Sequence, residues 1–266
     1  MLKTRVLVAV VALPILIAII LVGDWAFALL VTGALLLAAD EYFRLFKKAD
    51  MRPPEWLTFV FVLLAVGAVW FDHDDWREPG MMILIIVGLI YAIWGMEHGS
   101  THPITDLSLA VFGGVYLGWL GSTLLAVRML DDGAYLTLFL YGCVIMSDSA
   151  AYFVGRQWGK HRLSPHVSPK KSWEGYIGSV IGGLVFGALG ALVNPNVLPV
   201  GHGALIGLLI GILGTAGDLG ESVIKRQVGA KDSGHLIPGH GGILDRLDSV
   251  LISAAIGYYY LVWFVV

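Results

Sequence analysis

The amino-acid sequence predicts an all-α integral membrane protein of about nine transmembrane helices, with its N-terminus in the cytoplasm. The first observation is composition. Hydrophobic residues make up 57% of the 266-residue chain, charged residues make up 14%, and the mean hydropathy is +0.79. An average soluble domain is about 45–50% apolar and about 25% charged, so a water-soluble globule is excluded. A disordered chain is also excluded, because it would need low hydrophobicity and high net charge.

The second observation is the number of long apolar runs. A helix needs about 20 apolar residues to cross a bilayer, and nine runs approach that length. They are roughly Val6–Val22, Trp25–Ala39, Trp56–Phe71, Met81–Trp94, Leu107–Val127, Tyr135–Val154, Gly175–Val193, Ala204–Ala216 and Ile243–Phe264. The second, fourth and eighth are short or interrupted, and we expect the eighth to continue to Lys225. Lys3 and Arg5 precede the first run as in a signal peptide, but no clean cleavage site follows, so a retained helix is expected.

The third observation is the distribution of basic residues. When nine spans alternate from a cytoplasmic N-terminus, all but two of the 17 lysines and arginines fall on the cytoplasmic side. The two exceptions are Arg77 and Arg128. Such a bias is typical of cytoplasmic loops, so it supports both the count and the orientation. A multi-pass protein of the cell (inner or plasma) membrane is predicted.

Other global features exclude several kinds of site. The formal net charge is −3, so no nucleic-acid partner is expected. The single cysteine, Cys143, cannot close an intrachain disulfide. The sequence contains neither a P-loop nor a dinucleotide-binding glycine motif. Its abundant glycines instead include two sets at helical spacing, which we expect to allow close helix packing: Gly178, Gly182 and Gly190, and Gly203, Gly207 and Gly211.

Polar residues gather toward the cytoplasmic ends of the last four predicted spans, and the first cluster surrounds Asp148. This acid lies in an otherwise apolar helix, where an ionisable group is costly and indicates a functional site. Tyr152 follows four residues later on the same face, and Arg156 lies one turn beyond. The alternative is a structural acid that bonds neighbouring helices.

The second cluster is the loop 160–175. Two prolines, Pro165 and Pro169, keep this loop out of helix. Ser172 is a plausible N-cap for the following span, with Glu174 in its first turn. The tight group Ser168, Lys170, Lys171 and Ser172 is suited to holding phosphate, because lysines supply charge and a helix start supplies N–H donors.

The third cluster is the densest. Asp218, Glu221, Ser222 and Lys225 are spaced to share one helical face. Asp245, Asp248 and Ser249 open the final span and share another face. Carboxylates from the two helices are therefore expected to meet near the cytoplasmic surface, where they would repel each other without a cation. Oxygen ligands favour Mg²⁺, which is usually held by one or two carboxylates and substrate phosphates.

A glycine-rich loop joins these two helices. It carries Lys231 and Asp232, and it ends in His240, Gly241 and Gly242. Bare glycine backbone lets N–H groups approach an anion. His235 and His240 are weak evidence for zinc, which prefers several histidine or cysteine ligands. Acids for a metal and basic residues for a polyphosphate, in a membrane, indicate phosphoryl or nucleotidyl transfer to a lipid.

The run 222–248 resembles the signature of the phosphatidate cytidylyltransferases (CDP-diacylglycerol synthases) over its whole length. Its fixed positions are Ser222, Ile224, Lys225, Arg226, Lys231, Asp232, Gly234, Ile237, Pro238, His240–Ile243 and Asp245–Asp248. The stretch Ser168–Gly175 also resembles the cytoplasmic loop of that family. Asp148 lies where the family has an acid before a Gly-Arg pair, here Gly155 and Arg156. The specific resemblance covers about residues 140–250.

The resemblance implies an enzyme that joins CTP and phosphatidic acid into CDP-diacylglycerol and pyrophosphate for phospholipid synthesis. It also implies a homodimer and dependence on Mg²⁺ in a paired-cation centre, whose second ion is K⁺ or another Mg²⁺. On this basis residues 1–130 are N-terminal transmembrane helices that form a scaffold with dimer and lipid contacts. Residues 131–266 form the catalytic transmembrane region.

The resemblance and the clusters together assign site residues. Asp218 and Asp245 are the first choice for metal-binding acids, and Glu221 and Asp248 the second. Asp148 is a further ligand or an orienting acid, and Lys225, Arg226 and Arg246 are catalytic cations. The substrate-binding residues are Ser168, Lys170, Lys171, Ser172, Ser222, Lys231, Asp232, His240, Gly241 and Gly242.

Two alternatives use the same ingredients. A CTP-dependent lipid kinase, of the polyprenol type, would phosphorylate a hydroxyl and release CDP in place of pyrophosphate. An ion-coupled transporter would suit an intramembrane acid such as Asp148. The polar residues nevertheless collect at one surface, and the sequence shows no internal repeat, which disfavours a transporter.

Overall fold

The computed structural model describes residues 2–49, 51–234, 236 and 241–266, with the backbone alone described for 2–9 and 74. Helices dominate these residues. The α-helices are α1 Leu2–Val22, α2 Asp24–Lys47, α3 Glu55–Trp70, α4 Arg77–Glu97, α5 Pro103–Gly113, α6 Leu120–Met129, α7 Gly133–Trp158, α8 Trp173–Ala191, α9 Val200–Gln227 and α10 Leu244–Phe264. A short antiparallel hairpin of β1, Arg162–Ser164, and β2, Ser168–Ser172, lies between α7 and α8.

The predicted fold class, an all-α integral membrane protein, is confirmed. Seven helical segments of the described chain are long and apolar enough to cross a membrane. They are α2, α4, the continuous segment Pro103–Met129, and α7 to α10. The apolar helices Val10–Val22 and Glu55–Trp70 are shorter. The count of nine spans stays a prediction.

Several helices extend beyond the predicted apolar runs. The second run was expected to end at Ala39, but α2 continues to Lys47, with Arg44 and Asp40 paired at 2.8 Å one turn apart. The eighth run continues past Asp218 and Lys225 to Gln227, as expected. Hydropathy defines the part of a helix that lies in lipid, whereas the helix itself ends where its backbone hydrogen bonds end.

A π-helical turn, Gly114–Trp119, joins α5 to α6 and was not predicted. Single π-turns of this kind occur within α-helices, frequently at functional sites. Here the turn faces the buried ring of Phe61, and a Cβ at Gly118 would lie only 2.6 Å from that ring. The two glycines at 114 and 118 therefore let the turn pack directly against α3.

The chain forms two compact units. The first contains residues 1–129 and 228–247, and the second contains residues 130–227 and 248–266. The segment 228–247 thus lies in the unit of the N-terminal helices, and the predicted catalytic region 131–266 includes parts of both units. The functional division into scaffold and catalytic regions stays a prediction.

In the first unit, the two basic residues that break the predicted charge bias both hydrogen-bond other parts of the unit. Arg77 is buried, and its Nη1 donates to Ser122 Oγ at 3.4 Å. Arg128 Nε donates to the Ile20 carbonyl oxygen at 2.7 Å. Both cations are therefore structural and bond neighbouring helices of this unit.

In the second unit, glycines bring α8 and α9 into backbone contact. A Cβ at Gly183 would collide with the Gly207 carbonyl oxygen, and one at Gly187 would collide with that of Gly203. The order of these contacts shows that the two helices run antiparallel. The predicted packing role of Gly203, Gly207 and Gly211 is confirmed.

The other predicted set, Gly178, Gly182 and Gly190, packs against α7. Hydrogen bonds also link the three helices, because Ser147 Oγ on α7 lies 2.8 Å from Ser179 Oγ on α8. Ser179 Oγ in turn donates to the Gly211 carbonyl oxygen on α9 at 3.1 Å. Small residues thus serve packing on two faces of α8.

We expect Gly207→Ala to lower the free energy of unfolding by about 1–3 kcal/mol, because the added methyl group meets backbone that has no room to move. The matched control is Gly201→Ala on the same helix, where the described residues leave open space. The control should be neutral or more stable by up to about 1 kcal/mol, since alanine favours helix. Thermal unfolding in detergent measures both, and equal stability of the two variants would contradict the packing role.

Candidate active site

The phosphate-binding loop predicted at 160–175 is the β1–β2 hairpin together with the start of α8. The prolines exclude helix as expected, but the strand pairing was not predicted; Arg162 pairs with Ser172 and Ser164 with Ser168. Ser172 is the N-cap of α8, as predicted, and its hydroxyl accepts from Gly175 N at 3.1 Å. The hairpin therefore delivers its second strand directly into a helix N-terminus.

Glu174 stabilises this hairpin through hydrogen bonds. Its carboxylate accepts from Lys160 N at 3.1 Å, from His161 N at 3.3 Å and from His161 Nδ1 at 2.7 Å. The carboxylate also lies in the first turn of α8, where the helix dipole favours negative charge. Glu174 thus ties the start of the loop to the start of the helix.

The two lysines of the loop have different environments. Lys171 Nζ lies 2.7 Å from Asp218 Oδ2 on α9, and its side chain is 22% exposed. Lys170 is exposed. Successive side chains of a strand point to opposite faces, so only one of two adjacent lysines on β2 can meet α9 in this way.

The predicted face of α9 carries a buried ion pair. Glu221 is fully buried, and its Oε2 lies 3.1 Å from Lys225 Nζ, itself only 9% exposed as a residue. Ser222 is also buried. A carboxylate removed from water is stable only when paired and hydrogen-bonded, so Lys225 neutralises Glu221 within the helix.

Asp248 joins this group from α10. Its Oδ1 accepts from Ser249 N at 2.6 Å, and its carboxyl group lies beside Glu221 and near the charge of Asp218. Gly217 allows this approach, because a Cβ there would collide with the Asp248 carbonyl oxygen. We call Lys171, Asp218, Glu221, Lys225 and Asp248 the acid–lysine cluster. It lies where α8 begins and α9 ends.

The acid–lysine cluster offers few metal ligands in one place. Within the ranges that the structure describes, no group of three or more acidic, histidine or cysteine side chains is arranged to hold a metal ion. The pair Asp218 and Asp248 is a smaller, all-oxygen donor set, and a cation bound between them would reduce their mutual repulsion. Two carboxylates are sufficient for Mg²⁺ when substrate phosphates complete its shell.

Asp245 has a different environment, in the first unit. Its Oδ2 accepts from Gly242 N at 2.8 Å, from Ser233 N at 3.0 Å and from Ser233 Oγ at 2.9 Å. The Gly242 N–H, which we expected to face an anion, therefore binds Asp245. Gly241 has a φ of +85°, a backbone conformation that favours glycine. Asp245 thus shapes the loop that precedes α10.

The remaining predicted residues have varied positions. Arg226 Nε donates to the Val167 carbonyl oxygen at 3.2 Å, so it supports the hairpin turn. Asp148 is exposed on α7, and Tyr152 one turn further accepts a hydrogen bond from Arg156 Nη1 to its Oη at 3.1 Å. Lys231, Asp232 and Arg246 are exposed, and Ser168 is half-buried. His240 and His235 lie outside the described residues.

Sequence reasoning missed one residue near this loop, Glu41 on α2. Its Oε2 accepts from Leu244 N at 2.9 Å, although the two residues are 203 positions apart. An acid beside an apolar run was the available signal, the same signal that singled out Asp148. Because Asp40 and Arg44 flank Glu41, it looked like one more charge at the end of a helix.

Carboxylates and lysines at one end of a helical membrane unit define a class of protein, a membrane enzyme that handles anionic, phosphorylated substrates. Comparison with known proteins identifies the family within this class. The model of the cytidylyltransferase family matches residues 3–264, and the chain belongs to this family.

Curated relatives with the name phosphatidate cytidylyltransferase align over nearly the whole chain. The protein of Synechocystis sp. is 32% identical, covering 97% of this chain and 96% of its own length. The protein of Bacillus subtilis is 32% identical, covering 98% of both. The protein of Thermotoga maritima is 33% identical, covering 97% and 95%. The resemblance found in the sequence is thereby confirmed at the level of the family.

We expect Glu174→Ala to loosen the hairpin, because Lys160 N and His161 N lose their acceptor. Residue-resolved hydrogen exchange in detergent should show faster exchange at these two amides. Glu78→Ala is the control, since it removes an acid from the first turn of α4 and leaves the hairpin unchanged. Unchanged exchange at 160 and 161 would show that Glu174 does not hold the loop.

Proposed function

We propose that this chain transfers a cytidylyl group from CTP to phosphatidic acid, giving CDP-diacylglycerol and pyrophosphate for phospholipid synthesis. Membership of the cytidylyltransferase family and the names of its relatives support this reaction. The structural observation that carries the proposal is the ion pair Lys171–Asp218. It joins the loop suited to phosphate to the helix that carries the acids.

In the proposed reaction, an oxygen of the phosphatidic acid phosphate attacks the α-phosphorus of CTP. A new P–O bond forms there, and the bond from the α-phosphorus to the oxygen bridging it to the β-phosphate breaks. That oxygen leaves with pyrophosphate. A phosphate monoester is already mostly ionised at pH 7, because its second pKa is about 6. The attacking group therefore needs no strong general base.

The protein contributes charge and position to this reaction. Lys171 and Lys225 lie in the acid–lysine cluster, each beside a carboxylate that holds its ammonium group in place. We assign them, with Lys170, Arg226 and Arg246, to the triphosphate and the lipid phosphate. Ser168, Ser172, Ser222, Lys231, Asp232, His240, Gly241 and Gly242 remain proposed substrate contacts, and Asp148 a proposed orienting acid. Phosphoryl chemistry of this kind depends mainly on such positioning and on charge neutralisation.

Mg²⁺ is the proposed cofactor, and the all-oxygen pair Asp218 and Asp248 fits it. Asp245, one helical turn before Asp248 on α10, and Glu221 are the other proposed ligands. When bound, the ion would neutralise phosphate charge and orient the reacting groups. A second cation, K⁺ or Mg²⁺, a homodimer and a cytoplasmic active site in the inner membrane belong to the same proposal. Phosphatidic acid would then enter from the surrounding membrane lipids.

A product assay tests the reaction. Purified protein in detergent receives phosphatidic acid, Mg²⁺ and CTP labelled at the α-phosphate. We expect label in the lipid fraction that depends on phosphatidic acid and falls at least about 100-fold in Asp218→Asn, a loss of about 2.7 kcal/mol of transition-state stabilisation. Asp131→Asn, which changes an exposed acid after α6, is the control and should keep full activity.

The same assay separates the alternatives. CTP labelled at the γ-phosphate should give no labelled lipid, with phosphatidic acid or with lipid alcohols as acceptor. Labelled lipid from γ-labelled CTP and an alcohol would indicate a lipid kinase. No labelled lipid from either form of CTP, with folded protein, would contradict both reactions and favour a transporter.

Lys170 and Lys171 lie on opposite faces of β2, so a comparison of the two lysines gives a second test of the proposed function. We expect Lys171→Ala to lower kcat/KM for CTP about tenfold, equal to about 1.4 kcal/mol, and to raise the KM for CTP more than that for phosphatidic acid. Lys170→Ala, on the other face of the strand, should have the smaller effect. Steady-state kinetics in mixed micelles measures both variants. A larger rise in the KM for phosphatidic acid would assign Lys171 to the lipid phosphate.

A further inference from the structure

Glu41 is a buried acid of the first unit, and it lies in the last part of α2 beyond the apolar run. The residue is only 7% exposed, and its neighbours on α2, Tyr42 and Phe43, are fully buried. Asp40 beside it differs, since its side chain is 37% exposed and pairs with Arg44. Burial of a carboxyl group is costly unless hydrogen bonds compensate for lost water, so the contacts of Glu41 indicate why α2 carries it.

Those contacts all lie in the segment that precedes and opens α10. Glu41 Oε2 accepts from Leu244 N at 2.9 Å and lies 3.1 Å from Ser233 Oγ, whose one proton lies between Glu41 and Asp245. Leu244 is the first residue of α10, where N–H groups have no partner within the helix. Glu41 therefore caps α10 with a carboxylate from a different helix, at the end where the helix dipole favours negative charge.

Ser233 connects Glu41 to Asp245. The buried Ser233 hydroxyl lies 3.1 Å from Glu41 Oε2 and 2.9 Å from Asp245 Oδ2. Ser233 N donates to the same Asp245 oxygen at 3.0 Å. Glu41 thus fixes both the helix start that carries Asp245 and the serine that hydrogen-bonds its carboxylate.

Two glycines of the segment lie directly against the Glu41 carboxyl group. A Cβ at Gly234 would lie 2.5 Å from Glu41 Oε1, and a Cβ at Gly242 would collide with Glu41 Oε2. Neither of these two described positions therefore has room for a side chain beside the Glu41 carboxyl group. Sequence reasoning had assigned Gly242 to anion binding, whereas the structure gives it a packing reason.

We propose that Glu41 is a positioning residue for Asp245. It holds Ser233 and the first turn of α10 in place, so that the Asp245 carboxylate keeps one orientation. The inference rests on the proposed function, in which Asp245 is a metal-binding acid. Glu41 itself lies on α2, far from the 222–248 signature in sequence, and it contacts the loop, with no role assigned to it in the chemistry.

The first readout is hydrogen exchange, which needs no enzymatic activity. In Glu41→Ala, Leu244 N loses its acceptor and must exchange faster whatever the role of Glu41. Gly242 N and Ser233 N bind Asp245, so they exchange faster only if Glu41 holds Asp245 in place. We expect faster exchange at all three amides. A change confined to Leu244 would overturn the proposal.

The second readout is the split between kcat and KM. Residues that orient a metal-binding group typically change affinity or activity by 10–100-fold. We expect Glu41→Ala to lower kcat roughly 10–100-fold, with less than about a threefold change in KM for either substrate. Asp40→Ala, one residue away on α2, should leave kcat unchanged. An unchanged kcat in Glu41→Ala would overturn the proposal.

Two further variants cover the other outcomes. Glu41→Gln keeps an oxygen that can accept from Leu244 N and Ser233 Oγ, so it should recover most of the lost activity. Normal exchange together with activity as low as that of Glu41→Ala would overturn the positioning role. If Glu41→Ala does not fold, Ser233→Ala removes the connecting hydroxyl alone and should still speed exchange at Gly242 and lower kcat. Should the native protein lack cytidylyl transfer, the exchange readout still tests the hold on Asp245.

Discussion

A charged side chain that leaves water must find an opposite charge or hydrogen-bond partners within reach, and this constraint governs the polar interior of the protein. The cost of an uncompensated buried charge amounts to several kcal/mol, comparable with the whole stability of a typical domain. Glu221 is fully buried and has Lys225 one turn away. Arg77 is buried and hydrogen-bonds Ser122 on another helix. Where such a partner lies on a different helix, it also fixes the relative position of the two helices.

Close helix packing makes this neutralisation possible in the second unit. Lys171 meets Asp218 because the start of α8 and the end of α9 lie side by side. The antiparallel glycine contacts between the helices, such as Gly183 with Gly207, bring their axes close enough for that. A larger side chain at these glycines would meet the backbone of the facing helix and force the two helices apart. The acid–lysine cluster therefore depends on residues far from it along the helices.

Much of this architecture could be predicted from local sequence. Long apolar runs, the Ser172 N-cap and the extension of the eighth run to Lys225 each depend on neighbouring residues, and each is confirmed. The β1–β2 pairing was not foreseen, because three- and five-residue strands carry too little pattern. For the same reason Lys170 and Lys171 were treated alike, since their difference depends on strand geometry. The contact from Glu41 to Leu244 joins residues 203 positions apart, and a single sequence carries no signal for such a pair.

The fixed positions of the 222–248 signature consequently fall into two physical kinds. Lys225 and Asp248 belong to the acid–lysine cluster, where charge can act on a phosphorylated substrate. Gly234 and Gly242 leave room for the carboxyl group of Glu41, and Gly242 also donates to Asp245. A side chain at Gly234 or Gly242 would displace the Glu41 carboxyl group. The need for glycine at these two positions therefore comes from the acid on α2. The geometry of Asp245 therefore depends on an acid in the N-terminal helices, a region whose sequence shows only hydrophobicity. Packing around Glu41 is therefore a second reason for glycine at position 242, beside the substrate contact that we propose for it.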